Sequence, residues 1–176
     1  YQIDEEGRVD FVGLSHFVTE RYRYLYNEVC HPRILWQKLA SVVGKRLLEE
    51  VITIHRDFLQ RRVAPHYRGA VGVDMLTYRG LRGEVLLHPA VEVNVRSTME
   101  LLAHRLYERL GMPEARYHYQ IASFAKKGDA LAWLQASEVE TPPRFDGDGK
   151  LLRGNLPLHP IDVDTQFVAT FSLVPS

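Results

Sequence analysis

The chain has 176 residues, 45% of them hydrophobic and 10% aromatic, enough to bury one compact core or two small subdomains that share one. Lysine plus arginine is 22 and aspartate plus glutamate is 22, which excludes a general electrostatic nucleic-acid binder and leaves room only for a local basic patch. The single cysteine, Cys30, excludes an internal disulfide and paired-cysteine zinc or redox motifs, so a reducing cytoplasm is the expected compartment. No apolar run approaches the roughly 18 residues of a membrane span, and no signal peptide is visible. Neither nucleic acid nor membrane is an expected partner.

In chain order, Tyr1–Ile3, the polar turn Asp4-Glu5-Glu6-Gly7 and Val9–Thr19 read as a β-hairpin. Arg21–Asn27 fits neither period and reads as a loop whose Tyr22, Tyr24 and Tyr26 either stack on a ligand base or cover a core edge. Pro32 suits a first helical turn, and apolar residues at helical spacing continue to about Val63, with Gly44 as a break or cap and Pro65 as the stop. Ala70–Tyr78 and Glu84–Arg96 form a second hairpin across Gly80-Leu81-Arg82-Gly83. Ser97, with Glu100 three residues on, has capping-box spacing for a helix striped by Leu101, Leu102, Leu106 and Leu110 and ended by Gly111 and Pro113. Arg116–Phe124 reads as a strand, Asp129–Ser137 as a short helix, Thr141–Gly149 as a loop and Gln166–Val174 as a last strand. The Asp-Gly run at 146–149 lacks the later glutamate of a calcium loop and reads as a turn. The expected fold class is α+β: a largely antiparallel sheet with helices packed on one face, over 1–176 as a single domain.

The chemistry concentrates in Val91-Glu92-Val93-Asn94-Val95-Arg96. Side chains alternate along a strand, so Glu92, Asn94 and Arg96 share one side and three valines the other, which is expected to face the core. A carboxylate, a neutral carbonyl and a guanidinium in a row suit a magnesium nucleotide: Mg²⁺ takes hard oxygens, a few from protein and the rest from water and phosphate, and arginine grips phosphate oxygens in pairs. On the preceding strand Asp74 stands between Val73 and Met75. A turn centred between Leu81 and Arg82 places Asp74 opposite Pro89, about three residues short of Glu92; a bulge at Pro89, which cannot donate to the ladder, would close part of that gap. A charged strand face is equally what a solvated sheet surface presents, and on spacing alone the two readings stand level.

The segments Gly69-Ala70-Val71-Gly72-Val73-Asp74-Met75-Leu76 and His88-Pro89-Ala90-Val91-Glu92-Val93-Asn94-Val95-Arg96-Ser97-Thr98-Met99 resemble the C-terminal subdomain of the ATP-grasp superfamily. More loosely, Gly13-Leu14-Ser15 and Leu156-Pro157-Leu158-His159-Pro160 resemble a bacterial ATP-grasp-like subgroup of unassigned substrate. The resemblance implies that Asp74, Glu92 and Asn94 hold Mg²⁺ against ATP, and that Arg96 contacts phosphate or acyl phosphate. It implies a ligase that activates a small carboxylate as an acyl phosphate for capture by an amine or thiol. The family's N-terminal lobe has no counterpart here and would precede Tyr1, so the chain is expected to be the C-terminal part of a longer protein and not to catalyse by itself. The 21–27 segment also departs from the glycine-bearing loop of the family. A nucleotide- or ligand-binding module without turnover, and a structural or interaction domain, are the rival readings.

Eight histidines show no HxxxH or HExxH spacing, which gives no support to a transition-metal site. His88 and His159 precede prolines and read as strand-end residues, and His55 as a partly covered helix residue. Arg116, Lys126 and Lys127 read as solvated surface or as the lining of an acidic-substrate pocket.

Overall fold

Two separate apolar clusters are buried: Ile3, Val9, Leu59, Ala64 and Val71 in one, and Val29, Ala103, Tyr107, Tyr117, Tyr119, Leu151 and Phe171 in the other. They belong to two compact units, the first made of 1–14 and 32–102 and the second of 15–31 and 103–176. The structure, a computed structural model, describes residues 1–21 and 23–175. Every strand pairing among the described residues is antiparallel, and four helices accompany the sheets, so the class is α+β. The strands form four small sheets in place of one large one.

In the first unit β1 (Gln2–Ile3) pairs with β2 (Val9–Asp10) across a turn in which the Asp4 carboxylate accepts from the Arg8 backbone N–H at 2.7 Å. The expected hairpin arm to Thr19 is not continuous. Its later part is β3 (His16–Glu20), which pairs in the second unit with β4 (Arg23–Val29). The loop expected at 21–27 is therefore mostly strand: alternating tyrosines favour a pleated backbone, and Asn27 and Val29 point into cover while Leu25 stays exposed. Tyr22 lies outside the described residues. The Tyr24 hydroxyl donates towards Asn27 Oδ1 and the Tyr119 carbonyl, and Tyr26 stacks on His118 at 3.8 Å, so both already have structural partners.

α1 (Pro32–Val43) and α2 (Lys45–Arg62) are separated at Gly44, whose φ of 90° lies where only glycine sits without strain. α2 buries Leu48, Val51, Ile52, His55 and Leu59, one stripe at three- and four-residue spacing, while Leu47 and Phe58, though apolar, are exposed. β5 (Gly69–Ala70) joins the other edge of β1. β6 (Gly72–Arg79) and β7 (Val85–Asn94) then form a two-stranded ribbon, and α3 (Met99–Leu110) follows.

In the second unit β8 (Tyr117–Ser123) is the centre of a five-stranded sheet, flanked by β4 and by the last strand. α4 (Asp129–Glu140) runs a turn beyond its expected end. The expected 141–149 loop is largely a hairpin, β9 (Arg144–Phe145) with β10 (Leu151–Arg153), turned at Asp146, whose carboxylate accepts from the backbone of Asp148 and Lys150. β11 (Asn155–Pro157) and β12 (Phe167–Leu173) complete the sheet in the order β11-β12-β8-β4-β3. Tyr117, fully buried, stacks on Phe171 at 4.6 Å, and its hydroxyl accepts from the Met112 N–H and donates to the Leu151 carbonyl.

Candidate functional site

The ribbon turn occupies Gly80–Glu84 and is centred on Arg82, since Arg79 pairs with Val85 and the Gly80 N–H bonds the Glu84 carbonyl. The ladder runs regularly to Leu76 opposite His88 and then shifts: Met75 faces the three residues Pro89, Ala90 and Val91, and Asp74 stands opposite Glu92. The three-residue gap in the simple register is thus closed by one residue from the turn centre and two from a bulge at Pro89. Directly opposed residues project to the same face of an antiparallel pair, so Asp74 and Glu92 are neighbours there, with Asn94 opposite Gly72 one step on.

The Asn94 side-chain N–H donates to Asp74 Oδ2 across a long 3.5 Å. Gly72 is required where it stands: a Cβ there would lie 2.9 Å from the Thr98 methyl and 3.7 Å from Asn94 Cβ. Arg96 departs from its expected place on the strand. β7 ends at Asn94, the Arg96 N–H bonds back to the Asn94 carbonyl at 2.9 Å, and the guanidinium donates to the Ser97 carbonyl at 3.3 Å. It still acts on Asp74 electrostatically. Burial first, then the charges of Glu100 and Glu92, push the Asp74 carboxyl above the ordinary carboxylate range, while Arg96 pulls it down.

Glu100, whose spacing from Ser97 suggests only a capping box, also belongs to this group. The cap is Thr98, whose hydroxyl accepts from the Leu101 N–H at 3.4 Å; helix α3 starts at Met99, so Glu100 falls one position early for a reciprocal cap. The signal available in the sequence was Thr98 beside Ser97, either of which can cap. The valine side of β7 also differs from expectation: Val91, Val93 and Val95 are 57%, 37% and 42% exposed, so that face is not a core face. A two-stranded ribbon has two faces and no covering layer of its own.

His55, expected to be partly covered, is 6% exposed, and both ring nitrogens are engaged, Nδ1 with the Tyr1 hydroxyl and Nε2 with the Pro89 carbonyl, each at 2.8 Å. His88 lies within β7 rather than at its end, and His159 accepts from the Ala169 N–H. Of the surface cations, Lys127 pairs with Asp164 at 2.7 Å and Arg116 with Glu28 at 3.6 Å.

Among the described residues no three His, Cys, Asp or Glu side chains are gathered so as to hold a metal ion by themselves. An ion at Asp74 and Glu92 would draw most of its oxygens from outside the chain, which is how magnesium is held in nucleotide sites. The placing of Asp74 directly opposite Glu92, with Glu100 also raising the Asp74 carboxyl, is the arrangement that fits a cation there. No helix among the described residues is long and apolar enough to cross a membrane. Comparisons with known protein families, with curated proteins and with solved structures found no match to this chain.

Proposed function

We propose that the face of the ribbon bearing Asp74, Glu92 and Asn94, with Arg96 beyond it, is the magnesium- and phosphate-facing part of an ATP-dependent ligase that joins a small carboxylate to an amine or thiol through an acyl phosphate. The observation that supports this reading is the alignment of Asp74 with Glu92 across a bulged ladder, beside a neutral amide and within the field of a guanidinium. Two carboxylates held against their mutual repulsion gain most from a divalent ion.

In this reading Asp74 and Glu92 supply anionic oxygens and Asn94 a neutral carbonyl oxygen. Arg96, freed from the Ser97 carbonyl, turns its N–H groups to phosphate or acyl-phosphate oxygens. Bound magnesium would offset the charge on the phosphoryl group in transfer. The chain's own work is to fix the positions of these four groups before the substrate arrives.

Calorimetric titration with Mg·ATP tests the reading. The wild-type chain should give a saturable binding heat, and Glu92→Gln and Asn94→Ala should each weaken it by about tenfold or more, equivalent to about 1.4 kcal/mol. Glu92 is exposed and Asn94 half-buried, so the urea midpoints should move little. Wild-type affinity in both variants overturns the assignment. Magnesium-dependent binding without ADP release favours a binding module without turnover. Absence of any heat leaves an interaction domain.

A further inference from the structure

We propose that His55 is a positioning residue that holds the β6–β7 ribbon in the register that sets Asp74 opposite Glu92. Its bearing on cation binding rests on the function proposed above, whereas its control of register stands without it. The bulge is where the two carboxylates are brought level, and Pro89 is its first residue. Proline has no N–H to give the ladder. Its carbonyl, the one hydrogen-bonding group left to it, accepts from His55 Nε2 at 2.8 Å. Pro89 therefore offers β6 no N–H, and its carbonyl is turned to His55, which favours the bulge seen there.

His55 is well placed for this. It lies on the buried stripe of α2, between Ile52 and Leu59, so its ring is carried by a helix that is anchored in the core of the same unit. A carbonyl only accepts, so Nε2 carries the hydrogen and Nδ1 accepts from the Tyr1 hydroxyl; the phenol fixes the tautomer that the Pro89 bond needs. Burial acts in the same direction by favouring the neutral ring. Were the Pro89 carbonyl released, the regular ladder seen from Leu76 to Arg79 could extend through Asp74, which would then face Ala90. That slip of two residues keeps every side chain on its own face and separates the carboxylates by roughly 7 Å along the strand.

Two cysteine pairs report the register directly: Asp74→Cys with Glu92→Cys for the observed ladder, and Asp74→Cys with Ala90→Cys for the slipped one. Native Cys30 is buried. With His55 in place, mild oxidation should cross-link the first pair in preference to the second. His55→Leu should reverse that preference, and His55→Gln, which keeps a donor near Nε2, should restore it. Should leucine fail to fold, His55→Asn, too short to reach Pro89, makes the same comparison. An unchanged preference in the folded Leu or Asn variant overturns the proposal. In parallel, Mn²⁺ binding to the protein without the reporter cysteines, followed by electron paramagnetic resonance, should weaken about tenfold in His55→Leu and stay within about threefold of wild type in His55→Gln. If the wild type binds no Mn²⁺ while the cross-links shift as expected, the cation reading fails and the positioning role stands; if the wild type binds and His55→Leu binds equally, with cross-links unmoved, the positioning role fails alone.

Discussion

Asp74 carries a conflict that a single substitution can resolve. Its carboxyl is pushed up by burial and by Glu100 and Glu92, so the native state holds that proton more tightly than the unfolded chain does. The stabilising effect is therefore full below the unfolded value and is lost as pH rises through the folded one. At neutral pH the ionised group weighs against folding. Asp74→Asn should raise stability at pH 7 by up to about 1 kcal/mol, discounted for partial exposure, and leave it unchanged near pH 3, where the carboxyl is protonated in both states. Urea unfolding at the two pH values measures this. Millimolar Mn²⁺ should then stabilise the wild type more than the variant, because a neutral amide oxygen binds the ion more weakly than the carboxylate it replaces. A variant less stable than wild type at pH 7 would show that the bond from Asn94 outweighs the repulsion.

At the scale of elements, the start of α3 separates two adjacent hydroxyl residues. Thr98 caps the Leu101 N–H and its methyl lies over Gly72; Ser97 makes no such cap. Thr98→Ala should cost about 1 kcal/mol and Ser97→Ala close to nothing, read as urea midpoints on the same protein. Equal losses would place the cap at Ser97. The same stretch shows what local pattern can and cannot carry. Pro32, Gly44 and the spacing of Leu48, Val51, Ile52 and Leu59 were enough to place a broken helix, because periodicity and backbone restriction are properties of neighbours in sequence. The alternation of Glu92 and Asn94 against three valines was equally legible, but alternation is symmetric: it defines two faces without saying which is covered, and the valines proved exposed. The facing of Asp74 and Glu92 needed a two-residue bulge fixed by a histidine more than thirty positions upstream, and the nearness of Glu100 needed the helix to begin one residue late. Those are long-range or one-residue effects, beyond what local spacing resolves.

At the scale of the whole chain, the second unit is discontinuous. Residues 15–31 leave the first unit, form β3 and β4, and return before α1 begins. β4 is the strand that pairs with β8 through Asn27, Glu28 and Val29, and Val29 is part of the buried cluster with Tyr117 and Phe171. Without it β8 has an open edge, the cluster loses an aliphatic wall, and a three-stranded remnant of β11, β12 and β8 is left. A fragment of 103–176 should therefore show little cooperative unfolding by circular dichroism. Adding a peptide of 15–31 in molar excess should restore a cooperative transition whose midpoint rises with peptide concentration, since a partner that binds only the folded form stabilises it by mass action. A Val29→Asp peptide should fail, because it brings an unpaired charge into a buried position. Cooperative unfolding of 103–176 by itself would mean that the sheet does not depend on its inserted hairpin, and that the crossing of the chain between units is a matter of connection and not of stability.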